Sequence, residues 1–297
     1  MLIFASSQYG AVEKGSLSLS LLTQHAALLQ SQLLRLGFLF CLLGYGTKAG
    51  VFPLHSWLPD AHSEAPAPAS AMLSGGLLNC ALFAIWRFTE LMRAAGQGQT
   101  AQNIALTAGV ITIVAASLFL VRQHGLKRML AYSSVENVGL MLTAIGLGSG
   151  PLFFLIALNH SAAKVALFLV SGNIIQATGT KSLDEIRGML STNPCWAAVL
   201  ILAGVAVTGS PPFGSFIAEW SLLAQGSQLH LWPIVIAVLL ALAVSFLAVM
   251  SHIGKIVCGT PGAGMNLFRP KGSSLIPVSL VVGTFVAGAF GLLSFLR

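Results

Sequence analysis

Residues 152–175 read LFFLIALNHSAAKVALFLVSGNII. Twenty-four residues of helix rise about 36 Å, more than the roughly 30 Å hydrocarbon core of a bilayer. Only His160 and Lys164 in this run can carry charge. A stretch so long and so apolar reads as a membrane-crossing helix. The same pattern recurs at 33–54, 68–90, 104–121, 129–147, 195–224, 231–257 and 275–296, which makes eight expected spans. The fold class that follows is all-α, a polytopic transmembrane helix bundle. Residues 1–32 are expected to form a weakly amphipathic lead-in outside the membrane, and 33–297 one transmembrane domain.

Composition points the same way. Of 297 residues, 56% are hydrophobic and 8% charged, against about 25% charged in soluble domains. The net charge of +7 does not indicate nucleic acid, because the fifteen Lys and Arg lie singly along the chain. Cys41, Cys80, Cys195 and Cys258 are far apart and form no CxxC, so neither a disulfide framework nor an iron–sulfur site is expected. The opening MLIFASSQYGAVEKG lacks a basic region before a short apolar core and does not read as a signal peptide.

Lys and Arg fall unevenly on the two sides of the expected bundle. Arg122, Lys127, Arg128, Lys181, Arg187, Lys255, Arg269 and Lys271 follow spans three, five and seven. Lys14, Arg87, Arg93 and Arg297 belong to the other side, with Arg35 at an edge. The positive-inside rule puts the first group in the cytoplasm and both termini on the outer face. The loop SWLPDAHSEAP (56–66) is then cytoplasmic as well.

Two spans are expected to be broken. The first carries Gly50 and Pro53, the sixth Gly209, Pro211, Pro212 and Gly214. Proline removes a backbone donor and clashes with the preceding turn, and paired broken helices point to an ion site in transporters.

Five ionisable groups stand within these apolar runs: Lys48, Glu136, His160, Lys164 and Glu219. A charge at the bilayer centre costs about 2.5–3.5 kcal/mol even on the lenient insertion scale. His160 and Lys164 are one turn apart and share a helix face. Glu136 stacks with Tyr132 and Ser133 and is read as a relay carboxylate or the structural ion partner of Lys164. Lys48 is read as a proton holder or a lysine reaching for the interface, and Glu219 as a relay or rim carboxylate. His55, His62, Asp60 and Glu64 share one loop, where a proton-collecting funnel or plain loop structure is preferred to a metal site. GYGTKAG lacks the GK[ST] ending of a phosphate loop, and no HExxH or Ser/His/Asp set stands out. No metal, cofactor or redox chemistry of the chain's own is expected.

At these residues the chain resembles a known family. GYGTKAGVFPLHSWLPDAHSEAPAPASAMLSG, LKRMLAYSSVENVGL, LNHSAAKVALFLVSGN and TGSPPFGSFIAEW occur in that order. They are similar to the antiporter-like membrane subunits of respiratory complex I, Mrp sodium/proton antiporters and membrane-bound hydrogenases. HSEAPAPASAMLSG, LLNC and LNHSAAK look most like the hydrogenase-4 and formate hydrogenlyase branch, component F type. The resemblance implies two inverted five-helix repeats, of which this chain would hold one complete and part of the other. It implies Lys48 as the lysine of the first broken helix, Lys164 as the central lysine and His160 as its companion. Glu219 would be the terminal carboxylate, and Lys127 and Glu136 fall in the motif of one helix. Complex I relatives usually have lysine where Asn79 stands here.

The function implied is a proton-translocating subunit of a hydrogenase or complex I-like redox assembly. Its expected partners are other membrane subunits and peripheral hydrogenase and iron–sulfur subunits, with a separate chain supplying further N-terminal helices as one of two alternatives, the other being a truncated gene product. Its expected place is the bacterial inner membrane. The alternatives are an Mrp-like cation/proton antiporter and a non-transporting structural anchor.

Overall fold

The computed structural model describes residues 18–260 and 275–295. Lys14, Arg269, Lys271 and Arg297 lie outside the described residues, as does most of the lead-in. The described part is helical: α1 (Leu19–Gln24), α2 (Ser31–Ala49), α3 (Trp57–Glu64), α4 (Ala67–Ala94) and α5 (Gly98–Val121) come first. Then follow α6 (Leu126–Gly146), α7 (Gly150–Thr178), α8 (Met189–Thr192), α9 (Pro194–Val207), α10 (Gly214–Gln228), α11 (Trp232–Val257) and α12 (Leu275–Phe295). It is a polytopic transmembrane helix bundle. Helices α4, α5, α7 and α11 are each long and apolar enough to cross a bilayer unaided.

Both expected breaks have local causes. Helix α2 stops at Ala49 because Gly50 takes a left-handed conformation (φ 81°), and Pro53 follows. The chain then turns into the short α3. The sixth span divides into α9 and α10 around Gly209 (φ 65°), Pro211 and Pro212. Helix α4 has one further irregularity, a π turn at Leu73–Leu77, in the sequence LSGGL.

The centre of the bundle is α6. Every residue in it except Arg128 is buried, which is possible only because its neighbours surround it. Its tightest neighbour is α5. A Cβ at Gly139 would stand 2.9 Å from the Gly109 carbonyl and 2.7 Å from Ile113 Cγ1. One at Gly146 would stand 2.6 Å from Leu106 Cα. Small residues let helix backbones meet where no difference between lipid and side chain drives association.

The loops sort by side as the charge count expects. Leu126 N donates to Lys181 O at 3.0 Å and Leu183 N to His124 O at 2.8 Å. Asp60 pairs with Arg128 at 3.1 Å and Glu64 with Lys181 at 3.2 Å. The acidic 56–66 loop therefore lies on the same face as the basic loops. The opposite face holds Arg35 against Gln97 and Gln225 against the Leu147 carbonyl.

The seam between α5 and α6 generates a prediction. Gly139→Val should destabilise the fold by about 1–3 kcal/mol through overpacking, read as a lower unfolding midpoint in detergent. Gly44→Ala, with nothing within 4 Å of its new Cβ, should leave that midpoint unchanged.

Candidate functional site

Lys164 and His160 project from α7 into the bundle, and neither reaches solvent: Lys164 is 0% exposed and His160 2%. Lys164 Nζ donates to the Leu130 carbonyl of α6 at 2.8 Å. Ser134 Oγ donates to that same carbonyl at 3.1 Å and sits 2.9 Å from Ser74 Oγ of α4. Ser74 Oγ in turn stands 3.5 Å from His160 Nε2. Between the lysine and the histidine thus stand one carbonyl and two hydroxyls drawn from two helices, α6 and α4. A hydroxyl both donates and accepts, so Ser134 and Ser74 can exchange a proton with the His160 ring; the carbonyl only accepts and holds Lys164 and Ser134 side by side.

Beyond His160 lies a narrow cavity, with about 10 Å³ of space for the centre of a water molecule, room for roughly one water. Asn137 of α6, Asn159 and His160 of α7, Val207 of α9, and Ser215 and Glu219 of α10 line it. Glu219 also lines a groove of about 520 Å³ between the α9–α10 break and α11, with Trp220, Leu242 and Phe246 as apolar walls. Its carboxylate lies over Gly209, where a Cβ would collide with it. The half-buried Glu219 is therefore shared by an internal cavity and a groove open to the surroundings.

Glu136 is 4% exposed and its Oε1 has no hydrogen-bond partner among the described residues. It lies close enough to Lys164 and Glu219 for their charges to act on one another, with Ser245 of α11 as its polar neighbour. No ion pair joins it to Lys164 among the described residues. The lysine is held by a backbone carbonyl instead, so the structural ion-pair reading of Glu136 loses its geometric basis.

On the loop face, Lys127 Nζ donates to the Ala65 carbonyl at 2.7 Å. His62 is 0% exposed, neither ring nitrogen has a hydrogen-bond partner among the described residues, and its ring stacks on Phe168 of α7 at 4.7 Å. Burial, then the charges of Lys164 and Lys127, bring its pKa down to about 4. His62 thus stands between the loop-face lysine and the central one.

The remaining expected residues go elsewhere. Lys48 is exposed in the last turn of α2, beside exposed Leu43 and Tyr45, and is not brought to the other four groups. His55 sits among Phe52, Phe119 and Tyr132, where burial lowers its pKa and a hydrogen bond with the Pro53 backbone raises it. Asp60 serves the surface pair with Arg128. Asn79 Nδ2 donates to Ser161 Oγ at 2.6 Å, on a face of α7 apart from the Ser74–His160 contact. Pro53, Pro211 and Pro212 lie at the breaks expected of them.

Sequence reasoning left out Ser74, Ser134 and Asn159 as site residues, and read His62 only as part of a proton-collecting funnel or of plain loop structure. Its signal was available: Leu58, Pro59 and His62 are the buried face of an otherwise polar short helix.

The sequence profile of the family described as "NADH:quinone oxidoreductase/Mrp antiporter, TM" matches residues 1–245. A hydrogenase-4 component F homolog of Methylacidiphilum infernorum is 41% identical over 207 residues, covering 69% of this chain and 44% of that protein. Na(+)/H(+) antiporter subunit A1 of Staphylococcus aureus is 32% identical over 247 residues, 75% of this chain and 30% of the relative. The chain thus spans less than half the length of these curated relatives. A chain in the archaeal membrane-bound sulfane sulfur reductase superposes with a TM-score of 0.86 at 25% identity, over 97% of this chain and 59% of the other.

The state of His62 has a consequence for stability. Above about pH 6.5 the ring is neutral whether the chain is folded or not. As the pH falls from 6.5 toward 4, the unfolded ring takes a proton that the folded one refuses. Stability should therefore be full above 6.5 and decline by up to about 3 kcal/mol on acidification to pH 4. His62→Phe should remove that share of the acid sensitivity, measured as unfolding midpoints in detergent between pH 7 and 4.5.

Proposed function

The chain belongs to the NADH:quinone oxidoreductase/Mrp antiporter transmembrane family, and on that premise we propose that it is a proton-translocating membrane subunit of a hydrogenase or complex I-like redox assembly. Its relatives include hydrogenase-4 components, and electron transfer in partner subunits would supply the energy. Protons would arrive from the face of Lys127 and His62 and load Lys164. The Ser134 hydroxyl, turning from the Leu130 carbonyl toward Ser74, would take a proton from the lysine and give its own to Ser74, which would pass one to His160. They would then cross the small cavity to Glu219 and leave along its groove. The carrying observation is that one carbonyl holds Lys164 beside Ser134, whose hydroxyl is in reach of Ser74, and Ser74 of His160, within the buried centre of the bundle.

The electrostatics favour this role over a purely structural one. An ammonium has three N–H donors, and Lys164 has one acceptor within hydrogen-bond reach. A charge held so poorly is costly within a bilayer, and releasing its proton lightens the cost. Glu136 acts in the opposite sense: while ionised, it favours the charged lysine. A change in the charge of Glu136 would thus load or unload Lys164, which is how an event in a partner subunit could drive the proton onward.

Lys48 belongs to a different part of the scheme. Exposed on α2 at the membrane-facing surface, it would be covered by an adjoining membrane segment carrying a carboxylate, supplied by a partner subunit. Peripheral hydrogenase and iron–sulfur subunits would bind on the face of the basic loops. That face would be cytoplasmic in the inner membrane of a bacterium, with both termini outside.

Lys164→Met should abolish coupled proton uptake in inverted membrane vesicles while leaving partner redox turnover partly intact. Ser74→Ala, which cuts the hydroxyl series without removing a charge, should slow uptake about tenfold or more, the scale of a lost proton-transfer group. Unchanged uptake in Lys164→Met would rule the scheme out. A complex that assembles and never moves protons would indicate a structural anchor.

A further inference from the structure

Gly209 lies in the break of the sixth span, just beyond the end of α9 at Val207. Two separate demands meet on it. The first is conformational: its φ is 65°, and Ser210 N donates back to the Val205 carbonyl at 3.4 Å, the bond of a helix that ends on a left-handed residue. Glycine suits such a position best, yet asparagine also takes it, and other residues do so under strain. The second demand is spatial and stricter. The three atoms nearest to a Cβ built at Gly209 are the carboxyl carbon and both oxygens of Glu219. The carboxyl group itself, rather than the stem of the side chain, fills the place where any other residue would carry its Cβ.

The helix end accounts for the φ and not for this contact. Gly179 ends α7 with a φ of 70° and has nothing within 4 Å of its Cβ position among the described residues. One backbone conformation thus occurs in this chain at an open place and at a place occupied by a carboxylate. Glu219 lines both the one-water cavity beside His160 and the groove of about 520 Å³. Among the described residues it has no hydrogen-bond or ion-pair partner, so packing in the break is what places its carboxylate. A Cβ at Gly209 would dislodge it, and a cavity with room for roughly one water cannot receive a carboxyl group. The displaced group would therefore go into the open groove.

We propose that Gly209 is a positioning residue for Glu219, its bare Cα being the seat that holds the carboxylate at the junction of the cavity and the groove. The use of that junction for proton movement rests on the reading of the preceding subsection; the seat itself does not.

The test follows the place of the carboxylate through its rate of labelling by dicyclohexylcarbodiimide, a lipid-soluble reagent that adds to carboxylic acids. The full chain is used in lipid nanodiscs, the labelled residue is found by peptide mass spectrometry, and Glu219→Gln is the blank. Gly209→Ala should raise the rate at Glu219 about fivefold or more, because the group then stands in a groove large enough for a small molecule. Gly179→Ala, which imposes the same backbone strain at an open place, should leave the rate unchanged. In a Glu219→Asp background the shorter side chain withdraws from the seat, so adding Gly209→Ala should change the labelling there by less than about twofold. An unchanged rate in Gly209→Ala, an equal rise in Gly179→Ala, or the full rise in the Glu219→Asp background would overturn the seat. If Gly209→Ala does not fold, the Glu219→Asp background, which makes room for the Cβ, should restore folding, and failure there as well overturns it. In membrane vesicles of the assembled complex, Gly209→Ala should slow proton uptake about tenfold or more. Faster labelling in Gly209→Ala with no uptake in the unaltered complex refutes the proton scheme alone. Uptake in the unaltered complex with unchanged labelling in Gly209→Ala refutes the seat alone.

Discussion

A polar group that crosses a hydrocarbon layer has to find its partner inside the protein, and in this bundle that constraint is met by burying one helix completely. Helix α6 carries Ser133, Ser134, Glu136, Asn137 and Thr143 within three turns, and all are buried. Exposed to lipid, such a helix would be a poor membrane span. Surrounded by α3, α4, α5 and α7, with Ser245 of α11 beside Glu136, it becomes the polar axis of the molecule. The glycine seam with α5 makes this possible, because it brings the two backbones together without side chains between them. The price is that one face of α6 has no freedom to change, and the opposite faces are left to hold Lys164 and the cavity.

How much of this could be read from the sequence depends on which helix is considered. The outer helices were legible, because lipid selects for apolar residues along their whole length: α5 and α11 are plain from 104–121 and 231–257. Helix α6 was expected at 129–147 as an apolar run like the others, yet it is not among the helices apolar enough to cross alone. The breaks at Gly50–Pro53 and at Gly209–Gly214 were legible from proline and glycine chemistry. The pairing of His160 with Lys164 was legible because four residues make one helical turn. The hydroxyls that connect them were not. Ser74 lies in the π turn of α4, which shifts the register by about one residue relative to a regular helix. A count at 3.6 residues per turn cannot place it.

Lys48 shows the converse limit. Its sequence setting matches that of Lys164, a lone lysine in an apolar run, and composition ranks the two alike. The fold separates them completely, one at 0% exposure in the centre and the other exposed on α2. Helical periodicity does not resolve the difference, since it depends on which side of α2 faces the bundle, and α2 has too little amphipathic contrast to say. Leu36, Phe40 and Leu43 face outward as apolar as Leu34, Phe38 and Leu42 face inward. In lipid, the outside of a span gives no polar signal, so orientation about the helix axis is the piece of information that hydropathy discards.

His160 is where the two halves of the polar axis meet, and its chemistry explains why a histidine serves there rather than a second lysine. Nε2 faces Ser74, on the Lys164 side, while Nδ1 has no hydrogen-bond partner among the described residues and the residue also lines the cavity that leads to Glu219. A neutral imidazole holds one proton and has two places for it. Taking a proton from Ser74 at Nε2 and giving one up at Nδ1 exchanges the tautomers without leaving a lasting charge in the membrane. An ammonium at this position would have no acceptor face at all and would stand as a fixed positive charge one turn from Lys164. The histidine connects the hydroxyl series to the cavity at the lowest electrostatic cost available to a titratable side chain.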